Sequence, residues 1–329
     1  MQHNLSRSTS DFIDPVGEAS LLSKAKAIDE YLEGVFAENW TAATARLRIQ
    51  IADKNKTKNL WGFFLLASAA IVEATKNKST ADDAAELLAH RFCTLADVAS
   101  PKGGLGLVVV ADHPSIKEDL SAAWHPAWEG AKVQAAEAIT SQEFSQIESA
   151  LGLIEVASTR ATSLVNEVCA AICLLRVAGK MDPGSCISLT SKFVPGLIYF
   201  TPAPVIMTSE SIVHEAAHLW LSRFESSEDL YIEPDRRVAS PLRLDPRPLR
   251  GLTHQIWVLS NLLPFYRDLT RLDLPVIAAN SEKLGKRLAQ HAADLEVGLA
   301  IVRDNKDAFT DRGRDFVEFL SSSGVQTWR

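Results

Sequence analysis

The sequence predicts a mainly α-helical chain with a small β-sheet, an α+β fold, and three observations lead to this prediction. Residues from about 18 to 98 are rich in Ala and Leu at helical spacing, with few residues that break helices. Between 179 and 212, Gly, Pro and β-branched residues crowd together, as in short strands joined by turns. Helical spacing then returns and dominates the C-terminal region.

The N-terminal half is predicted to be a bundle of several helices. An apolar run at 59–74 is too short to span a bilayer and is typical of a buried helix. Three glycines and Pro101 interrupt the helical pattern at 100–115. Helical spacing resumes at 118–139 and again at 141–178, so we expect further helices in both segments.

Two short strands are predicted where the helical pattern breaks down, at 186–190 (CISLT) and 196–200 (GLIYF). Pro195 and Pro202 bracket the second strand, which is typical of the edge of a sheet. An edge strand can bind an extended peptide by adding it to the sheet. An ordinary packed strand is the alternative for this segment.

Composition and charge exclude some classes of partner. The chain has 329 residues with 34 Lys and Arg against 41 Asp and Glu, a net charge of −7. This balance provides no basic surface for nucleic acid, so we expect no DNA or RNA partner. The first 20 residues are polar and lack the apolar core of a signal peptide, which favours the cytoplasm and no membrane association.

Cysteine usage agrees with that location. Four cysteines in a chain of this length, with no CxxC pair, are more typical of buried thiols than of disulfides. Cys169 and Cys173 are four residues apart and would share one face of a helix, but their apolar neighbours favour two core residues over a metal pair. The four are Cys93, Cys169, Cys173 and Cys186.

The segment 211–221 (SIVHEAAHLWL) contains the pattern HExxH within an amphipathic helix. Residues i and i+4 share a helical face, so His214 and His218 can direct both imidazoles at one metal ion. Glu215, next to a ligand, can act on a metal-bound water or support the ligands. Two histidines among apolar neighbours need buried partners, and a metal ion is the simplest one. A strand-like segment precedes the helix, as in zincin folds.

Several downstream residues are candidates for a third metal ligand. Glu225 lies only seven residues beyond His218, about two turns along the same helix, and is not expected to reach the metal. Glu233 and Asp235 in the following connector remain possible ligands. His254 is the better candidate, because it lies in an apolar helix where an imidazole without a partner would be costly. A core histidine is the alternative for His254.

The spacing also excludes two familiar classes of metalloenzyme. A metzincin requires Gly at 221 and His at 224, but this chain has Leu221 and Phe224. Jelly-roll oxygenases carry an HxD or HxE pair, and none of the eight histidines begins one. The motif therefore predicts a catalytic, metal-binding domain at 151–329, preceded by a helical domain at 1–150, with a zincin-like helix as its centre.

The segments 213–221 (VHEAAHLWL) and 244–269 (LDPRPLRGLTHQIWVLSNLLPFYRDL) resemble one family in particular. This is the HEXXH-motif family of 2-oxoglutarate- and Fe(II)-dependent peptide β-hydroxylases, which modify ribosomally synthesised peptides. In that family the motif helix precedes an Asp-Pro-Arg-Pro-like connector and a second helix with a histidine shortly after Arg-Gly. Here that histidine is His254, after Arg250 and Gly251. The resemblance is specific over roughly 190–270.

The resemblance implies a ligand set and a reaction. Fe(II) would be held by His214, His218 and His254, leaving positions open for 2-oxoglutarate and O2. Imidazole suits iron as well as zinc, so the ligand set is compatible with either metal. The implied activity is that of a dioxygenase, an oxidoreductase that hydroxylates the β-carbon of a side chain in a precursor peptide.

An arginine-rich connector, 236–251 (RRVASPLRLDPRPLRG), leads from the motif helix into the helix that contains His254. A dicarboxylate cosubstrate needs a cation for its distal carboxylate, and the guanidinium fork matches carboxylate geometry. We expect Arg247 or Arg250 to bind it, with Arg243 third, because these lie closest to His254 in the chain. The alternative for each is a solvated arginine paired with a nearby acid.

Two other functions compete with the hydroxylase. An HExxH zinc metallopeptidase would use Glu215 as the general base that deprotonates the metal-bound water. A peptide-binding protein with a structural metal, or none, would use the helical half as a docking surface. The sequence assigns no oligomeric state and does not decide between a base and a supporting role for Glu215.

Overall fold

The computed structural model of the chain describes residues 108–110, 132–136, 138–169, 171–178, 186–190 and 196–326. The predicted N-terminal bundle, the apolar segment 59–74 and Cys93 lie outside these residues. The boundary proposed at 150 falls inside a described helix, and the division into two domains stays a prediction.

Two helices precede the central strands. Helix α1 spans Ser141–Ala157 and begins with a capping box, in which Thr140 accepts from the backbone of Glu143 and the Glu143 carboxylate accepts from the Thr140 backbone. Helix α2 spans Thr159–Val168, and the Ser158 side chain accepts from its first turn. Buried apolar faces on both helices join the main core.

A five-stranded mixed sheet forms one layer of the fold. Strand β3 is its centre and pairs in parallel with β1 and β5, while β2 and β4 join antiparallel to β3 and β5 respectively. The strands are β1 (Val108–Val110), β2 (Lys132–Ala135), β3 (Ala171–Ala178), β4 (Ser188–Thr190) and β5 (Leu197–Phe200).

The predicted helices at 118–139 and 141–178 are wrong in part. Residues 132–135 form β2, and the second helical segment ends at Val168, after which β3 begins. Residues Ile172 to Leu175 are completely buried. A strand covered on both faces is a continuous apolar run, and its pattern does not differ from that of a buried helix.

The predicted strands at 186–190 and 196–200 are confirmed as β4 and β5, but the prediction that the second is an edge strand is wrong. Strand β5 pairs with β3 on one side and with β4 on the other. All four of its residues are buried. Strand β4 instead ends the strand order β1-β3-β5-β4.

The long helix α3, Val205–Ser227, begins shortly after β5 and contains the HExxH pattern. It packs against α1, α2 and the sheet through buried residues that include Ile212, Val213 and Leu221. Its opposite side faces helix α4, Leu249–Leu269, which carries the second predicted site segment.

A β-hairpin joins α3 to α4. Its strands are β6 (Arg237–Ser240) and β7 (Arg243–Pro248), and they pair antiparallel with an irregularity between Val238 and Ser240. The arginine-rich connector is therefore an ordered two-stranded ribbon whose second strand is largely exposed. Pro248 leads directly into α4.

Three further helices complete the described chain. Helices α5 (Pro275–Ala278), α6 (Ser281–Asp304) and α7 (Asp311–Gln326) follow α4, with a 3-10 turn at Lys306–Ala308. Helices α6 and α7 both contact α4. The described chain is mostly helical with a small mixed sheet, so the predicted α+β class is confirmed at that level.

None of the helices among the described residues is both long and apolar enough to cross a bilayer. Cys169, Cys173 and Cys186, the cysteines within the described ranges, form no disulfide bond, as the sequence predicts. Cys169 caps α2 and Cys173 lies in β3, in two different apolar clusters, so they do not share the helical face that their spacing suggested.

Candidate metal centre

The two histidines of the HExxH pattern lie side by side on α3. The Nε2 atoms of His214 and His218 are 3.2 Å apart. Two nitrogens bound about 2.1 Å from one metal ion are roughly 3.0–3.4 Å apart at octahedral or tetrahedral angles. The pair therefore has the separation that two ligands of one ion require.

Their surroundings favour the neutral form that binds metals. Burial, with His291 and Arg287 nearby, lowers the pKa of His214 to about 4. Burial and the neighbouring imidazoles also hold the pKa of His218 well below its ordinary value. The His214 side chain nonetheless keeps 38% of its surface accessible, which leaves a route to the ring from solvent.

His254 of α4 completes a row of three imidazoles. Its Nδ1 lies 3.4 Å from Nδ1 of His218, and the two rings are stacked with centroids 5.6 Å apart. Helix α4 is fixed against α3 at this level, because Trp257 Nε1 donates to the Ala217 carbonyl at 2.9 Å and stacks on Trp220. The structure thus brings together the three histidines that the sequence selects.

The three histidines do not direct their ring nitrogens at one common point. His218 presents Nε2 to His214 and Nδ1 to His254, so its two neighbours contact different atoms of the ring. Correspondingly, no group of three His, Cys, Asp or Glu side chains within the described ranges is arranged to hold a metal ion. The pair His214 and His218 fits a metal as it stands, whereas binding by all three histidines requires side-chain rearrangement, including that of the His218 ring.

Glu215 is buried beside the pair, with 3% of its surface exposed. Its Oε1 accepts a hydrogen bond from Ser188 Oγ of β4 at 2.6 Å and lies 3.9 Å from His214 Nε2. Burial raises the pKa of Glu215 to about 8, against the hydrogen bond from Ser188. A lowered pKa of His214 and a raised pKa of Glu215 both favour two neutral groups over an ion pair.

Glu225, at the far end of α3, accepts hydrogen bonds from two side chains and lies close to a third. Its Oε2 accepts from Arg250 Nε at 2.8 Å, and its Oε1 accepts from the Tyr231 hydroxyl at 2.7 Å. His254 Nε2 approaches Oε2 to 3.0 Å, although not along a regular hydrogen-bond direction. Burial acts to raise the pKa of Glu225, but His254, Tyr231 and Arg250 outweigh it and the pKa is lowered.

The three predicted cosubstrate arginines have different environments. Arg250 is bound to Glu225 through two nitrogens, and Arg243 is exposed on β7. Arg247 is half-buried, and its charge contributes to the lowered pKa of His218. Its guanidinium passes over Gly251, where an added Cβ would lie 3.8 Å from Nε.

Arg247 has few partners for a buried cation. Its Nη1 donates to Gln255 Oε1 at 3.5 Å, and no ion pair within 4.0 Å joins it to an acid of the described chain. Burial lowers its pKa, as does the charge of Arg243. Of the three predicted arginines, Arg247 is therefore the one placed to receive an added carboxylate near the histidines.

A second acid–base group lies one turn before His214 on α3. Glu210 is paired with Arg287 of α6 at 2.6 Å and lies beside the buried Tyr266 in a small pocket. His291, also on α6, is tilted against Tyr266 with ring centroids 5.7 Å apart, and neither of its ring nitrogens finds a hydrogen-bond partner among the described residues.

Sequence reasoning missed several residues of this centre. Ser188 and Tyr231 lie 27 and 6 residues from their glutamate partners, and nothing in their local patterns marks them. Glu225 was considered only as a direct ligand. His291 had a usable signal, because it shares an α6 face with Leu284, Leu288 and Leu295, where a polar residue needs a partner.

The connector acids do not approach the histidines. Glu233 binds Arg236 at the surface, and Arg236 also binds Asp307. Glu233 is therefore disfavoured as the third ligand, and no contact links Asp235 to a histidine among the described side chains. His254 is the candidate that the geometry favours.

No protein-family model matches the chain, and no curated protein matches it either. The functional assignment therefore depends on the residues and geometry described above.

Proposed function

We propose that the protein is an Fe(II)- and 2-oxoglutarate-dependent peptide β-hydroxylase, acting in the cytoplasm on a ribosomally synthesised precursor peptide. The proposal combines the sequence resemblance with the grouping of His214, His218 and His254. Its centre would be a zincin-like arrangement, in which the motif helix lies against a small mixed sheet. Bound iron, with 2-oxoglutarate as the electron donor and O2 as the oxidant, would supply the chemistry that inserts one oxygen atom of O2 into a C–H bond.

The side chains at and around the three histidines have defined roles in this proposal. His214 and His218 would bind the metal through Nε2, and His254 would bind from α4 once the side chains rearrange, including the His218 ring. Arg247 would bind the distal carboxylate of the cosubstrate through its guanidinium. Glu215, hydrogen-bonded to Ser188, would support His214, since hydroxylation needs no general base at this position.

The observation that best supports an oxygenase is the position of Arg247. Arg247 is half-buried, forms no salt bridge within the described chain and, among acids, feels only the more distant charge of Asp245, so an added anion close to its guanidinium would be favourable. A dicarboxylate chelating a metal at the histidines would place its second carboxylate near such a cation. A hydrolytic zinc site has no corresponding need.

The direct test is anaerobic addition of Fe(II) and 2-oxoglutarate, followed by visible spectroscopy. We expect a metal-to-ligand charge-transfer band in the wild type, loss of that band in His254→Ala, and weaker binding of 2-oxoglutarate in Arg247→Gln with metal affinity retained. Arg271→Gln is the matched control, because Arg271 is a surface residue paired with Asp268 at the end of α4. Absence of the band in the wild type would refute the hydroxylase.

A zinc metallopeptidase is the second candidate, and one observation favours it. Glu215 Oε1 lies 3.9 Å from His214 Nε2, near where a metal-bound water would be. A divalent cation there would favour the ionised carboxylate, which could then act as a base. Cleavage of test peptides by the zinc-loaded protein, abolished in Glu215→Gln with zinc still bound, would establish this function instead.

A further inference from the structure

The end of α3 beyond the histidines is occupied by a carboxylate that faces a histidine from α4. Glu225 Oε2 lies 3.0 Å from Nε2 of His254, whereas the other nitrogen of the same ring, Nδ1, lies 3.4 Å from His218. The two sides of the His254 ring thus have different neighbours. One faces an acceptor, and the other faces the imidazole row.

We propose that Glu225 is the positioning residue of His254: the carboxylate oxygen beside Nε2 favours the tautomer with the proton on that nitrogen, which directs the Nδ1 lone pair toward His218. A neutral imidazole carries one proton, and the nitrogen that donates it cannot bind a metal. Carboxylates commonly fix the tautomer and orientation of metal-binding histidines in this way. This inference extends the proposed metal centre and assigns the nitrogen through which His254 would bind.

The carboxylate is itself held in place by two donors. The Tyr231 hydroxyl binds Oε1 at 2.7 Å, and Arg250 binds Oε2 through both Nε and Nη2 at 2.8 Å. Only 6% of the Glu225 side chain is exposed, so these contacts exclude most of the competing water. Since Tyr231 and Arg250 lie outside α3, the orientation of Glu225 depends on the chain around the hairpin.

The position of Tyr231 is fixed from the C-terminal side of the chain. Tyr231 forms a β-bridge with Phe309, and their rings lie 5.4 Å apart. Thr310 binds the two residues that precede Tyr231: its amide donates to the Leu230 carbonyl and its hydroxyl donates to the Asp229 carbonyl. The donors to Glu225 are thus part of a tertiary structure formed by three distant segments, which is what a fixed ligand orientation requires.

This arrangement gives Arg250 a structural task. An arginine with two nitrogens on one carboxylate oxygen is already committed, and releasing it would leave Glu225 partly unpaired. Arg250 therefore supports His254 through Glu225, and the cosubstrate carboxylate is left to Arg247. The two arginines, three residues apart in the connector, would have separate functions.

The test measures the tautomer of His254 and the affinity for metal, neither of which needs turnover. Nitrogen-15 NMR of histidine in the metal-free protein should show His254 protonated at Nε2. In Glu225→Gln we expect a mixture of tautomers, and chelator competition should show cobalt(II) affinity lower by about 10- to 100-fold. In Tyr231→Phe, which keeps the carboxylate, we expect a smaller loss of affinity with the tautomer preserved.

Glu228→Gln is the matched control for that substitution. Glu228 lies three residues further along, at the end of α3, and contacts Arg312 at 3.7 Å. It should leave both the tautomer and the cobalt affinity unchanged. If Glu225→Gln does not fold, the inference is tested by the tautomer of His254 in the wild type and by the cobalt affinity of Tyr231→Phe.

Two results would overturn the inference: protonation of wild-type His254 at Nδ1, or an unchanged cobalt affinity in Glu225→Gln. Failure of the proposed hydroxylase function is a separate outcome. A protein that binds cobalt in the predicted manner but gives no charge-transfer band with Fe(II) and 2-oxoglutarate would retain Glu225 as the positioning residue and lose only the proposed reaction.

Discussion

The two ends of helix α3 carry the same pair of residue types in different settings. Glu210 pairs with Arg287 one turn before His214, and Glu225 pairs with Arg250 two turns after His218. Both carboxylates are largely buried, with 13% and 6% of their side chains exposed. Their pKa values nonetheless move in opposite directions, upward for Glu210 and downward for Glu225.

The number of donors explains the difference. Burial raises the pKa of both carboxyl groups, but Glu225 has close contacts from three groups, Arg250, Tyr231 and His254. Glu210 has a close contact from Arg287, while the Tyr266 hydroxyl beside it makes no hydrogen bond of regular geometry. Arg287 and the more distant Lys283 do not offset burial at Glu210, whereas two hydrogen-bond donors and a close imidazole do so at Glu225. The surroundings of Glu225 therefore favour the charged carboxylate, and those of Glu210 favour the neutral carboxyl group.

The largest expected effect comes from displacing the segment that supports the Glu225 end. Gly313 of α7 packs against the backbone next to Tyr231, and an added Cβ would lie 2.0 Å from the Leu230 carbonyl oxygen. Because a backbone atom cannot move aside as a side chain can, we expect Gly313→Ala to lower the free energy of unfolding by about 3 kcal/mol. Urea denaturation would measure the change.

A matched glycine provides the control for this substitution. Gly285 lies in α6, is exposed, and has no atom within 4 Å of an added Cβ. Gly285→Ala should stabilise the protein by about 1 kcal/mol, because alanine is the better helix former. Equal effects from the two substitutions would show that the contact at Leu230 does not support the Glu225 end.

The next largest effect concerns the contact between α3 and α4, which lies midway between the two ends of α3. Trp257 Nε1 donates to the Ala217 carbonyl at 2.9 Å, between the His214 and Glu225 ends of α3. Trp257→Phe removes this buried hydrogen bond and part of the stacking on Trp220, so we expect a loss of about 2 kcal/mol in the free energy of unfolding. It should also weaken cobalt binding, because His254 lies on the same helix as Trp257.

Trp220→Phe separates packing from hydrogen bonding in that experiment. Trp220 stacks on Trp257 with ring centroids 4.5 Å apart and is equally buried. Its truncation removes a similar volume and leaves the bond from Trp257 to Ala217 in place. A cobalt affinity lowered as much by Trp220→Phe as by Trp257→Phe would show that packing alone sets the position of α4.

Sequence patterns predicted the local part of this structure well. Helical spacing of apolar residues predicted the helix that contains HExxH, the helix that contains His254 and the C-terminal helices at 281–304 and 311–326. Strand β3 was missed because a strand buried on both faces has no alternation to recognise. Periodicity therefore predicts an element that buries one face, and it does not identify a strand that is buried on both faces.

The groups around the histidines could not be predicted in the same way. Glu225 reaches His254 across two helices, and Ser188 reaches Glu215 from a strand 27 residues earlier. Such contacts depend on tertiary packing, which a single sequence does not encode in any local pattern. The ligand candidates were thus predictable from spacing, whereas the groups that orient them were not.

A pH titration sharpens the contrast at the Glu210 end. Burial raises the pKa of Glu210 above its ordinary value of 4.5, so the folded protein holds this proton more tightly than the unfolded chain does. The resulting stability is fully present below 4.5 and is lost as the pH rises through the folded pKa. Glu210→Gln mimics the protonated form, so the free energy of unfolding of the wild type should fall relative to the variant as the pH rises from 4 to 7.

Chemical denaturation at several pH values would measure this difference. In the wild type the ion pair with Arg287 strengthens as Glu210 ionises, and this gain opposes the loss of stability caused by burial. The variant lacks the ion pair at every pH. A wild type that gains stability relative to Glu210→Gln over this range would show that the pair with Arg287 outweighs burial. The two ends of α3 would then be electrostatically alike.

The smallest expected effect is the coupling between the two ends. Glu210 and Glu225 are 15 residues apart on one helix, roughly 22 Å at 1.5 Å per residue, and no shared side chain contacts both among the described residues. The changes in unfolding free energy caused by Glu210→Gln and Glu225→Gln should add within about 0.5 kcal/mol in the double variant. A larger coupling energy, measured at one pH by the same denaturation assay, would mean that the row of histidines between them transmits a change at one end to the other.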